Sequence, residues 1–137
     1  MRDSGERMTE EELTLTLWRM LRTGQGVLFV AQNPDGGWSS LYANHESPVD
    51  STVEETALHV EALAEIALLT EAGERGLGEV GRAGVDWLLS RVEDGTWTQP
   101  APIGFYFAKL WYYERLYPMV FTVAALEAVA RLEAAEK

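Results

Sequence analysis

Two groups of side chains in this 137-residue chain have types and spacing that could support chemistry. The first is the adjacent carboxylates Glu54 and Glu55. Two carboxylates that share a buried site can retain one proton near neutral pH, because like charges disfavour double ionisation. A structural interpretation is favoured, since Ser51 with Glu54 and Thr52 with Glu55 both fit the capping box that begins a helix. The pair remains a candidate acid site.

The second group is aromatic. Tyr106, Leu110, Tyr113 and Tyr117 recur at spacings of four, three and four residues, which places them on one face if the segment is helical. Aromatic rings can stabilise a cation through their π faces, which gives this group a possible chemical role. The favoured alternative is that the rings belong to the core and that the tyrosine hydroxyls find local partners.

Metal and cofactor chemistry has little support. The chain has no cysteine, and neither His45 nor His59 has a second metal-ligating residue at a typical spacing. No phosphate-binding loop and no Ser-His-Asp signature is present in the sequence. We therefore expect neither a metal nor a cofactor.

Charge and hydropathy exclude further classes of partner. The formal net charge of −11 argues against nucleic acid, because binding to phosphates depends on Lys and Arg. The longest apolar run, residues 116–126, is about half of the ~20 residues that a membrane-spanning helix needs. Met1–Met8 is polar, unlike a signal peptide. We expect a cytoplasmic protein that is at most peripheral to a membrane, as part of a larger assembly.

Apolar residues recur mostly at helical spacing, and the alternation of a half-buried strand is missing. The sequence therefore predicts an all-α fold, with a polar tail over residues 1–8 and one helical domain over residues 9–137. The first predicted helix begins at Thr9, the second covers residues 52–69, and the third lies between Gly78 and Glu93. A fourth covers the aromatic residues 104–113, and the last has Pro118 in its first turn.

An approximate internal repeat is the most informative motif. The first predicted helical segment closes in Gln-Asn-Pro-Asp-Gly-Gly-Trp, from Gln32 through Gly37 to Trp38. Trp97 follows 59 residues after Trp38 and ends a second turn that contains Gly95. A glutamine amide at such a turn can bond to the end of a neighbouring helix and stack on the tryptophan. We expect Trp38 to be buried and Gln32 to bond to backbone.

These turns resemble the QW repeat of the squalene-hopene cyclase and oxidosqualene cyclase superfamily, and the resemblance covers about residues 20–133. The second copy departs from the pattern, because Val92 stands where the glutamine is expected and the turn is one residue shorter. The order of the segments makes the resemblance specific. The corresponding segments are Ser51–Ala57, Gly84–Trp97, Gly104–Phe107 and Tyr112–Pro118.

The resemblance implies the last two to three hairpins of an α/α barrel, or toroid. It implies the C-terminal portion or a split subunit of a terpenoid cyclase of triterpenoid biosynthesis, an isomerase-type activity. Tyr106 and Tyr113 match aromatic positions of the family's cavity wall, whereas Leu110 falls where an aromatic residue is usual. The protonating Asp-x-Asp-Asp motif is missing from the sequence, so the isolated chain is expected to be inactive.

A partial barrel leaves an apolar face uncovered. We therefore expect self-association or a partner chain that completes the barrel, with a polyprenoid or triterpenoid as the candidate ligand. The alternative is a stand-alone helical-repeat interaction module, or an apolar-ligand binder, that has kept the fold without catalysis.

Overall fold

The computed structural model describes residues 32–39, 50–69, 77–105 and 110–137. Their helices are α1 (Val53–Leu69), α2 (Gly78–Asp94) and α3 (Tyr117–Ala135), and a 3₁₀ turn spans Thr96–Thr98. Two short strands, β1 (Ile103–Phe105) and β2 (Leu110–Tyr112), pair antiparallel. The predicted tail over residues 1–8 and the helix predicted from Thr9 lie outside the described residues. None of the described helices is long and apolar enough to cross a membrane.

Helix α1 begins where its capping box predicts. The Glu55 backbone N–H donates to Thr52 Oγ1 at 3.3 Å, and the Thr52 hydroxyl bonds to Glu55 Oε2 at 3.1 Å. The first contact satisfies a backbone N–H that the first helical turn cannot pair internally, and the second connects the two side chains of the capping box. The predicted start of the helix is therefore confirmed.

Helices α1 and α3 form the main seam of the core. Its buried residues are small or branched, which lets the two backbones approach closely. Glu65 and Arg131, both near the C-terminal ends of their helices, form an ion pair across the seam. The ion pair joins the C-terminal parts of the two helices, and buried residues continue to the N-terminal end of each. Helices α1 and α3 therefore run in the same direction. The buried apolar side chains of these two helices are Val53, Ala57, Val60, Leu63, Ala64 and Ala67 of α1 and Ala125, Ala128, Val129 and Leu132 of α3.

Helix α2 packs against α1 in the opposite direction. Gly84, in the middle of α2, lies against Val60 of α1, whereas Glu54 at the start of α1 reaches Ala101 beyond the end of α2. Helix α2 ends at Gly95, whose left-handed conformation (φ 80°) suits glycine, and whose N–H donates to the Val92 carbonyl.

The aromatic segment departs from the prediction. A helix over residues 104–113 is wrong, because Ile103 pairs with Tyr112 and Phe105 with Leu110 in the β1–β2 pair. Pro100 and Pro102 hold the incoming chain extended, and the aromatic and branched residues that follow favour strands. The described fold is thus helical with one two-stranded pair, and the proposed helical face of Tyr106, Leu110, Tyr113 and Tyr117 does not form.

Candidate functional site

The first QW turn is a tight loop closed by its own backbone. The Asn33 N–H donates to the Gly37 carbonyl at 2.8 Å, and the Gly36 N–H donates to the Asn33 carbonyl at 3.0 Å. Gly36 has a positive φ of 95°. A Cβ at Gly37 would lie 2.4 Å from the Cβ of Ser51, so this position has no room for a side chain. Both glycines are therefore needed for the turn to close and to approach Ser51.

Asp35 is the acceptor that connects this turn to two other segments. Its carboxylate accepts hydrogen bonds from Ser51 Oγ at 2.7 Å, the Gly37 N–H at 2.9 Å and the indole Nε1–H of Trp87 in α2 at 3.1 Å. Partial desolvation acts to raise the pKa of Asp35, but these three bonds and the nearby Arg91 charge outweigh it and lower the pKa below 3.8. The ionised carboxylate therefore stabilises the junction.

Gln32 bonds to backbone, as predicted. Its amide Nε2 donates to the Gly36 carbonyl within the turn and to the Val80 carbonyl in the first turn of α2, each at 2.9 Å. The side chain thereby holds the turn against the beginning of a neighbouring helix.

Trp38 is buried, as predicted, with 1% of its surface exposed. Its backbone N–H donates to Thr56 Oγ1 and its carbonyl accepts from the Thr52 N–H, both at 3.0 Å. Its indole ring stacks on His59, with ring centroids 5.0 Å apart. A Cβ at Gly84 would lie 2.7 Å from the ring. Trp38 thus fills the space between α1 and α2, and only a glycine of α2 fits beside it.

The second QW turn is not equivalent. Asp94 accepts hydrogen bonds from the hydroxyl and the N–H of Thr96, and these bonds lower the pKa of Asp94. Trp97 lies in the 3₁₀ turn and is only half-buried. The second tryptophan therefore contributes less to the core than Trp38 does.

The two glutamates are not brought together as an acid pair. Glu55 is engaged by the capping box with Thr52. Glu54 is 6% exposed, and its Oε1 accepts from the Ala101 N–H at 2.8 Å. Glu54 therefore turns inward to the linker, away from Glu55 and from solvent.

An exposed apolar surface lies on α3 and on the segment that leads into it. We call it the α3 apolar face and define it as Tyr113, Leu116, Tyr117, Val120 and Val123, all exposed. Val120 and Val123 are 56% and 58% exposed, although both are aliphatic. An open groove of about 350 Å³ lies along this face. It is lined by Met119, Val120, Val123, Ala124 and Glu127.

The candidate pocket residues are thus only partly placed. Tyr113 and Tyr117 lie on the α3 apolar face, Leu110 lies in β2, and Tyr106 lies outside the described residues.

His59 donates from Nδ1 to the Glu55 carbonyl at 2.6 Å, because a carbonyl can only accept. The described part of the chain contains no group of three potential metal-ligating residues.

These features are those of a helical protein whose neighbouring helices pack around a buried QW-type turn. The squalene-hopene cyclase C-terminal domain family matches residues 16–131, and the chain belongs to that family. No curated protein and no solved structure shows a significant match.

Sequence reasoning missed the junction around Asp35. It identified the Asp-Gly turn but not that Asp35 accepts from Trp87, which lies 52 residues away. The sequence shows Ser51 before α1 and Trp87 within α2, but only the tertiary fold shows that both side chains donate to Asp35.

We expect Trp38→Ala to lower the free energy of unfolding by about 3–5 kcal/mol, because a fully buried indole leaves a large cavity. The half-buried Trp97 provides the matched control, and Trp97→Ala should cost no more than about 2 kcal/mol. Urea denaturation of the three proteins measures both values. Equal losses would contradict the difference between the two turns.

The lowered pKa of Asp35 makes a pH-dependent prediction. Its stabilising effect is present above the ordinary value of 3.8 and is lost as the pH falls through the lower pKa of the folded state. Asp35→Asn should therefore cost about 1 kcal/mol at neutral pH, allowing for solvent screening, and progressively less in acid.

The matched control is Asp86→Asn, an exposed position on α2. Unfolding free energies of both variants and the parent protein, measured from neutral pH to below pH 4, test the sign. A cost of Asp35→Asn that stays constant into acid, or increases there, would contradict the assignment.

Proposed function

We propose that this chain is the C-terminal portion or a subunit of a squalene-hopene-cyclase-like terpenoid cyclase, an isomerase of triterpenoid biosynthesis. In this proposal α1 and α3 are neighbouring inner helices of an α/α toroid and α2 is an outer helix. Their alternating directions and the buried Trp38 junction support that arrangement. The chain supplies wall to an apolar cavity for a polyprenoid or triterpenoid.

The α3 apolar face carries the proposal. Tyr117, Val120 and Val123 are exposed on α3, and Tyr113 and Leu116 are exposed on the segment that leads into it. A surface of this kind is costly to leave in water, at about 25 cal/mol per Å² of apolar surface. A second polypeptide surface that completes the cavity, either another copy or a partner chain, would remove that cost.

The proposal places the protonating acid outside this chain. The sequence has no Asp-x-Asp-Asp motif, and the adjacent Glu54 and Glu55 are engaged in separate structural contacts. The contribution of this chain is therefore shape and apolar surface, with aromatic rings such as Tyr113 and Tyr117 available to stabilise a cation.

The proposal predicts that the α3 apolar face drives association. The parent chain should bind an apolar fluorescent dye and sediment above its monomer mass of 15.3 kDa in the micromolar range. Val120→Glu combined with Val123→Glu should reduce both signals by at least about tenfold, because charges oppose burial. Leu89→Glu introduces a charge at an exposed position of α2 and should leave both unchanged.

The same preparations are incubated with squalene and the extracts are analysed for cyclised products. We expect none from the chain alone. Hopanoid formation that disappears in Glu55→Gln would contradict the placement of the acid outside this chain. A monomer at all concentrations that binds no dye would contradict the cavity wall and favour an interaction module with a closed helical core.

A further inference from the structure

Glu54 is an unusual residue for its place in the fold. It lies in the first turn of α1 and is 6% exposed, in a helix whose other buried residues are apolar except for Thr56. Only Oε1 has a hydrogen-bond partner among the described residues, and Oε2 is buried without one. Burying a carboxylate costs free energy, so this contact needs a compensating role.

Helix capping does not supply that role. Glu55 and Thr52 already form the capping box. A glutamate in the first turn also gains from the helix dipole, but an exposed glutamate has this gain without the cost of desolvation. The contact specific to Glu54 is the hydrogen bond from the N–H of Ala101, 47 residues later in the chain.

Ala101 has a special position in the linker that follows the 3₁₀ turn. It lies between Pro100 and Pro102, and proline has no backbone N–H. Ala101 therefore carries the only backbone donor of the three residues. Each proline also keeps the residue before it extended, which stiffens the segment that leads directly into β1.

We propose that Glu54 is a positioning residue, which fixes this proline-stiffened linker to α1 and thereby sets where the β1–β2 pair lies. A single hydrogen bond is sufficient because the segment is stiff on both sides of it. The inference deepens the proposed function, since the chain that leaves β2 at Tyr112 continues through Tyr113 into the α3 apolar face.

The first readout is amide hydrogen exchange at Ala101, measured by NMR on the full chain. Glu54→Ala should accelerate exchange at this amide by at least about tenfold, and Glu54→Gln should largely restore protection, because its amide oxygen can accept the same bond. Glu55→Ala is the matched control: it removes the neighbouring carboxylate and should leave Ala101 protected while weakening the start of α1.

The second readout is a distance, and the chain suits it because it has no cysteine. Spin labels at Leu58→Cys on α1 and Arg115→Cys after β2, both exposed positions outside the α3 apolar face, report where the strand pair lies relative to α1. We expect one narrow distance distribution in the parent background and with Glu54→Gln, and a distribution about twice as broad or broader with Glu54→Ala.

Rapid Ala101 exchange in the parent protein, or protection and a narrow distribution that survive Glu54→Ala, would overturn the inference. If Glu54→Ala does not fold, the comparison of Glu54→Gln with the parent still decides, because loss of Ala101 protection in a folded Gln variant contradicts an acceptor role. Neither readout uses dye, squalene or association, so failure of this inference is distinguishable from failure of the proposed function.

Discussion

The fold depends on the packing of one buried indole ring against two helices. Trp38 lies between α1 and α2, stacked on His59 and touching α2 at Gly84. Burial of the ring also buries its backbone, and an unpaired backbone group there would be costly. The side chain of Thr56 and the N–H of Thr52 satisfy the Trp38 backbone, so the start of α1 must lie beside the turn. Apolar packing and polar satisfaction thus require the same arrangement.

A polar shell around the indole extends this constraint to α2. Asp35 bonds to Ser51 before α1 and to Trp87 in α2, while Gln32 bonds to the Val80 carbonyl. The three bonds connect segments that are distant in the sequence. With α2 held on one side of α1, α3 packs along another side and is left with an exposed apolar face. That face is the basis of the proposed cavity wall in this member of the squalene-hopene cyclase C-terminal domain family.

The local elements could be predicted where local physics decides them. The capping box locates the start of α1, Asp94-Gly95 locates the end of α2, and Pro118 lies in the first turn of α3. The aromatic segment was predicted as a helix from a spacing of three and four residues, but Leu110 and its neighbours pair as strands. A spacing pattern within one segment cannot show that Ile103–Phe105 pairs with Leu110–Tyr112, because that pairing joins two separate segments of the chain.

The candidate site shows where sequence reasoning ends. The burial of Trp38 and the backbone bonds of Gln32 follow from the motif itself. The inward turn of Glu54 does not, because Ala101 is 47 residues away and the same glutamate has an equally good local use at a helix start. A partial barrel was expected to leave an apolar face uncovered, and the structure places Val120 and Val123 on the exposed side of α3, whereas Val129 and Leu132 of the same helix are buried.

The stability of the Gly84→Ala variant reports directly on the packing of Trp38 against α2. In an unobstructed helix interior this substitution stabilises a protein by up to about 1 kcal/mol. Here the new Cβ would lie 2.7 Å from the Trp38 ring and 2.8 Å from Val60 Cγ2. We expect urea denaturation to show a loss of about 1–3 kcal/mol, as overpacking predicts. A gain in stability would show that Trp38 does not lie against α2.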